Sequence, residues 1–144
     1  MISIVIPTFN EVQNIIPLIK NLILLISDFE YEIIVVDDDS PDGTSEEVNK
    51  YMKLNQRIKL ITRIGRSGLS SAIKEGLIFA QGKYVLVLDG DGQHHPSFIL
   101  EMFDPRVLLF DNPSSLDVFK NLLPMTISDS FVLIMSNISN TKEG

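Results

Sequence analysis

The chain contains no cysteine. That excludes a disulfide scaffold, a cysteine-ligated zinc site and a thiol nucleophile, and it suits a reducing compartment. Basic residues are scarce: 12 Lys and Arg stand against 19 Asp and Glu, for a net charge of -7. A nucleic-acid backbone is bound by clustered Lys and Arg, so nucleic acid is not an expected partner. Long apolar runs are also lacking. The longest, Ile15 to Ile26, carries Pro17, Lys20 and Asn21 and falls short of the roughly 20 residues of a spanning helix. It reads as a core helix, which leaves only peripheral contact with a membrane. The opening MISIVIPTFNE has no basic region and breaks at Pro7, so it does not read as a signal peptide. The expected location is cytoplasmic, at most at the cytoplasmic face of a membrane.

What is present is enough for a core. Of 144 residues, 44% are apolar, which suits one domain. Elements alternate along the chain. Ile2–Ile6 is a short apolar strand ended by Pro7. Asn10 or Asn14 caps a helix to about Ser27, with Pro17 in its first turn if Asn14 is the cap. Tyr31–Asp37 is a second strand, running into the acidic turn Asp38-Asp39-Ser40-Pro41-Asp42-Gly43. Thr44 and Glu47 have the spacing of a capping box for a helix to about Leu54. Arg57–Thr62 is a third strand. Leu69–Gln81 is a helix closed by Gly82, Lys83–Asp89 is a fourth strand, and Pro96 starts the next helix. After about Leu100 the pattern weakens to two short apolar runs, Val107–Phe110 and Phe131–Met135, among prolines and serines.

Strands apolar on both faces and separated by helices imply a three-layer α/β fold, with a mostly parallel sheet covered by helices on both sides. Ligands of such sheets bind beyond the carboxyl ends of the strands. The polar clusters Thr8–Glu11, Asp37–Asp42 and Asp89–His95 all fall there.

Asp89-Gly90-Asp91-Gly92-Gln93 follows a buried strand. Two carboxylates one residue apart can share a hard divalent cation, Mg2+ or Mn2+, and so neutralise a diphosphate; taken alone, the same residues make a solvated turn. His94 and His95 would point apart on an extended segment, so they read as loop residues that shape a pocket. The Asp37-Asp38-Asp39 cluster offers an acceptor to a base or ribose, or simple turn and cap chemistry. A calcium loop starting at Asp38 has Ser40, Asp42 and Gly43 in place, but Asn49 stands at position twelve. Arg63, Gly65, Arg66 and Gly68 form a basic loop before a helix. It reads equally as a phosphate cradle or as ordinary surface.

Taken in order, these segments resemble family 2 glycosyltransferases. Ile4-Val5-Ile6-Pro7-Thr8-Phe9-Asn10-Glu11 is similar to the opening V-I-P-T-Y-N-E strand and turn. Ile34 to Thr44 is similar to V-D-D-x-S-P-D-G-T, Gly68-Leu69-Ser70-Ser71-Ala72 to G-L-x-x-A, and Asp89 to Pro96 to D-A-D-L-Q-H-P. The S-P-D-G-T form and the H-P ending resemble the dolichyl-phosphate (polyprenol-phosphate) mannosyltransferase branch. The resemblance covers residues 1–100. It implies the GT-A fold, a Rossmann-like nucleotide-diphospho-sugar transferase architecture, present here as an incomplete half. Residues 101–144 are then a divergent tail without the family's acceptor region.

The resemblance further implies that Pro7, Phe9, Glu11, Val36, Asp37, Asp38, Asp89, Gly90 and Asp91 bind a nucleotide-sugar. Asp89, Asp91 and Gln93 ligate Mg2+ or Mn2+, with Asp89 and Asp91 essential and no general base assigned. The implied reaction is metal-dependent, inverting transfer of a sugar, mannose favoured, from GDP-mannose or a UDP-sugar to a polyprenyl (dolichyl) phosphate. Phe9 replaces the usual Tyr, and Gly90 and Gly92 replace Ala and a larger apolar residue, which loosens the metal loop. Two other readings stand beside it: a truncated domain that binds nucleotide-sugar without transfer, and a haloacid dehalogenase-type phosphohydrolase, for which Gln93 stands where Thr is expected. A half sheet with an open edge also implies association with another chain.

Overall fold

The computed structural model describes residues 1–91 and the backbone of residues 133–136. Its elements are β1 (Ile2–Thr8), α1 (Ile15–Ile26), β2 (Tyr31–Asp37), α2 (Thr44–Met52), β3 (Ile58–Thr62), α3 (Leu69–Phe79), β4 (Tyr84–Val87) and β5 (Leu133–Ser136). They form one sheet in the order β3-β2-β1-β4-β5. The first four strands run parallel, and β5 pairs antiparallel with β4, Val87 opposite Leu133. The tail thus contributes a strand that overlaps its Phe131–Met135 apolar run and ends at Ser136.

The alternation of side chains along each strand divides the core in two. Ile2, Ile4 and Ile6 of β1, with Ile33 and Val35 of β2, face Ile15, Ile19, Leu22 and Ile26 of α1 and Val48 of α2. Val5, Ile34, Val36, Val85 and Val87 face the other way, toward Ala72 of α3. The sheet is therefore sandwiched between α1 and α2 on one side and α3 on the other, the expected three layers. Helix α3 settles directly onto the strands at Gly76, where a Cβ would run into Val5 Cγ1 and lie 3.1 Å from Val36 Cγ2.

Three local expectations change. Strand β1 continues through Pro7 to Thr8. The Val5 carbonyl accepts from Leu88 N–H, and the Thr8 carbonyl from Asp38 N–H. By alternation, Pro7 turns its backbone to the β4 side, past the end of the β1–β4 ladder at Val5–Val87, so its missing N–H breaks nothing. The capping box does not form. Gly43 is the N-cap of α2, Glu47 pairs with Lys50 instead, and Asp42 Oδ1 takes both the Thr44 N–H at 3.0 Å and the Thr44 hydroxyl at 2.6 Å. Nor does Gly82 cap α3, whose C-cap is Ala80. Gly82 lies against the Ser3 backbone and donates its N–H to Ser3 Oγ at 2.7 Å. The helix expected after Pro96 lies outside the described residues.

Candidate functional site

The carboxyl ends of β1, β2 and β4 open onto one edge of the sheet, and their loops are tied together from below. Thr8 and Asp37 are register partners, and the Thr8 hydroxyl donates to Asp37 Oδ1 at 2.8 Å. Asp37 is fully buried. Its Oδ1 also accepts from Ser40 Oγ at 2.7 Å, and its Oδ2 accepts from Ser40 N–H at 2.9 Å and Ser45 Oγ at 2.8 Å. Four donors fill this carboxylate, which is how a buried charge becomes tolerable. Around that hub the two loops interlock. Asn10 N–H donates to Ser40 Oγ at 2.9 Å, Glu11 N–H to Thr44 Oγ1 at 3.0 Å and Val12 N–H to Asp42 Oδ2 at 3.1 Å.

Burial works to raise the Asp42 pKa, but the donors from Thr44 and Val12 outweigh it and hold the carboxyl below the usual range. Asn10 and Asp39 both take left-handed backbone, each at φ 56°. Asn and Asp accept that conformation more readily than other side-chain-bearing residues, so each strand can end in a sharp reversal.

The loop after β4 closes the third side. Gly90 is buried, and a Cβ there would lie 2.9 Å from Thr8 Cγ2, 3.3 Å from the Pro7 carbonyl oxygen and 3.5 Å from Glu11 Cγ. Only glycine lets the β4 exit approach the end of β1 this closely. The half-buried Asp89 and Asp91 flank that contact. Among the described residues, no three His, Asp or Glu groups converge. Two hard carboxylates fit an ion of the Mg2+ type, which keeps water and completes its shell with phosphate oxygens rather than with a protein cage.

The residues singled out from the sequence sort by depth. Phe9 is 57% exposed. Glu11, Asp38, Asp89 and Asp91 are half-buried around the same edge, with Gly90 beneath them. Pro7 is buried within β1. Val36 is fully buried among Val5 and α3, so its side chain does not reach the edge. Asp37 reaches it only through the serines and threonine it holds. As side chains in direct contact with a ligand, Val36 and Asp37 are set aside on this geometry. Gln93, His94 and His95 lie outside the described residues.

The arginines of the basic loop are engaged within the protein. Arg63 is 1% exposed and turned inward against Asp38, Gly68 N–H is taken by Asp38 Oδ2 at 2.8 Å, and Arg66 pairs with Glu75. The calcium-loop reading also fails, because Asp38 faces Arg63 while Ser40 is bound to Asp37. Thr8, Ser40, Ser45 and Arg63 were not legible as site-builders, because their partners lie in other elements. The one local signal was the run of Ser and Thr three, seven and eight residues beyond Asp37.

A parallel sheet in the order β3-β2-β1-β4 with helices on both faces defines the doubly wound class of α/β fold, whose ligands bind beyond the carboxyl ends of the strands. The glycosyl transferase family 2 model matches residues 3–105, and the chain belongs to that family. A dolichol-phosphate mannosyltransferase of Pyrococcus furiosus is 38% identical over 103 residues, covering 72% of this chain and 29% of the relative. Among solved structures, Staphylococcus aureus TarS 1–349 in complex with UDP-GlcNAc is 33% identical. That match covers 62% of this chain and 26% of TarS, with a TM-score of 0.54. The mannosyltransferase PcManGT of Pyrobaculum calidifontis, in complex with GDP-Man and Mn2+, shares the fold at 24% identity and TM-score 0.57, over 72% of this chain and 32% of its own. The chain spans between 29% and 39% of the length of the curated relatives it matches.

Proposed function

We propose that residues 1–100 form the donor half of a family 2 glycosyltransferase that moves a sugar, mannose favoured, from a nucleoside-diphosphate sugar to a polyprenyl phosphate with inversion. One observation carries the reading: Gly90 brings the Asp89–Asp91 loop against the ends of β1 at Thr8, Pro7 and Glu11. In this reading the two carboxylates serve the same site as the exposed Phe9 ring and the Asp38 loop. The Pyrococcus relative's name supplies the acceptor class, and the TarS complex supplies the nucleoside-diphosphate-sugar class.

In this account Phe9 stacks on the base, Asp38 accepts a hydrogen bond from it, and Glu11 lines the pocket. Pro7 and Val36 contribute through their backbone and through packing, while Asp37 holds the loops in place. Asp89 and Asp91, with Gln93 as third ligand, would hold Mg2+ or Mn2+, and Gly90 would add backbone contacts. A cation there would neutralise the leaving diphosphate. The acceptor phosphate oxygen is already an anion, so no residue need remove a proton from it. The chain's work is positioning: it seats the donor so that the acceptor attacks from the side opposite the diphosphate. Placement at the cytoplasmic face of a membrane, where a lipid phosphate is found, follows from the same proposal.

Incubation with labelled GDP-mannose or UDP-glucose, Mn2+ and a detergent-dispersed polyprenyl phosphate tests it. A lipid-linked sugar is the expected product. The matched region is 29% of the Pyrococcus relative, so binding and transfer are separate expectations. Donor binding without lipid product would establish the second reading, a nucleotide-sugar-binding domain.

A further inference from the structure

Arg63 is the bulkiest fully buried side chain among the described residues, and the proposed transfer gives it no role. A buried guanidinium must be paired. Its Nη2 donates to Ser71 Oγ at 2.7 Å, and its Nη1 reaches the Gly68 carbonyl at 3.5 Å. Its Nε stands 3.1 Å from Asp38 Oδ1 and 3.8 Å from Glu75 Oε2. Yet neither Nε nor Asp38 Oδ1 makes a hydrogen bond, although both atoms are buried. The charges touch while the N–H is turned aside. The other Asp38 oxygen accepts from Gly68 N–H at 2.8 Å. The segment from Arg63 to Gly68 therefore abuts both oxygens of a carboxylate whose side chain is 10% exposed, by a charge contact at Oδ1 and a hydrogen bond at Oδ2. Glu75 extends the chain of charge outward to Arg66, 3.0 Å away.

We infer that Arg63 is a positioning residue that fixes the plane of the Asp38 carboxylate and so lets it select a nucleobase presenting a ring N–H. The inference rests on the donor-site reading, in which Asp38 meets the base. A carboxylate offers about four acceptor positions. Gly68 N–H occupies one and Arg63 covers the Oδ1 edge, which leaves Oδ2 with a fixed direction for a further donor. Guanine N1–H and uracil N3–H are such donors, and a methyl on that nitrogen removes them. Lysine could place a charge beside Asp38, but it lacks the planar fork that reaches Ser71 and Gly68 together.

Calorimetric titration of GDP against N1-methyl-GDP, and of UDP against N3-methyl-UDP, would be run on wild type, Arg63→Met, Arg63→Lys and Ser71→Ala, each with a melting curve. Wild type should prefer the better unmethylated nucleotide by about tenfold or more, the worth of one charge-assisted hydrogen bond. Arg63→Met should reduce that preference to under roughly threefold while still binding the methylated form, and Arg63→Lys should recover part of it. Ser71→Ala frees the fork without emptying the core and should move the ratio the same way, so it decides the matter if Arg63→Met does not fold. An unchanged ratio in folded variants, with only the melting temperature lowered, would make Arg63 merely structural and overturn the inference, as would equal wild-type binding of both forms. Wild type binding no nucleotide at all would overturn the donor-site reading, and this inference with it.

Discussion

Asp37 and Asp38 are adjacent carboxylates with different surroundings, and the difference comes from strand alternation. Asp37 continues the Ile33–Val35 face and meets Thr8, Ser40 and Ser45; Asp38 turns toward Arg63 and Gly68. Asparagine at 37 could accept at one oxygen only, and its amide would face donors. Asp37→Asn should therefore cost about 2–4 kcal/mol in denaturant unfolding. A loss below about 0.5 kcal/mol would show that the hub is dispensable. At position 90, an added methyl would press on a Thr8 side chain that its bond to Asp37 holds in place. Gly90→Ala should lower stability by about 1–3 kcal/mol and weaken donor binding beyond what the melting curve explains. Unchanged affinity in the folded variant would separate the Asp89–Asp91 loop from the end of β1.

At the scale of elements, the far end of the sheet is latched as firmly as the site end. Buried Glu32 accepts from Ser3 Oγ at 2.5 Å, Gln81 N–H at 2.6 Å and Lys59 Nζ at 2.6 Å, which ties the turn between α3 and β4 to β1, β2 and β3. Burial alone would raise its pKa, but Lys59, Ser3 and Gln81 together hold it below the ordinary value. A carboxylate depressed in the folded state contributes stability above its unfolded pKa and loses it as pH falls through the folded one. Stability should thus drop below pH of about 4, the ordinary glutamate range, and Glu32→Gln should flatten that part of the profile. An unaltered acid limb would assign the loss to other carboxylates. Gly76→Ala should strongly destabilise the chain, because the methyl would enter Val5 at the α3–sheet contact. The elements themselves were legible, since apolar runs such as YEIIVVD have only one use in a parallel sheet. Their ends were not: the extension of β1 through Pro7 depends on where β4 stops, and the start of α2 depends on Asp42 competing for Thr44.

For the molecule as a whole, the sheet order carries the functional argument, because it puts three sequence-distant loops at one edge. Asp38, Phe9, Glu11 and the Asp89–Asp91 pair were readable from their positions just after apolar strands. Arg63 was misread because a basic residue in a glycine-bearing loop looks exposed until its partners, Asp38 and Ser71, are seen. Val36 sits at the end of β2 with its side chain buried toward α3, an orientation that its neighbours in sequence do not reveal. The strand at 133–136 was visible only as an apolar run, since antiparallel pairing with β4 is a property of tertiary context. The central claim, that this edge binds a nucleoside-diphosphate sugar through a cation on Asp89 and Asp91, is tested most directly by calorimetry. GDP-mannose and UDP-glucose would be titrated into the chain with Mn2+, then with excess EDTA, and into Asp91→Asn. Saturable binding of one donor, lost in EDTA and weakened by at least about tenfold in the variant, is the predicted result. Binding that ignores both the chelator and the substitution, or no binding by a folded chain, would contradict it.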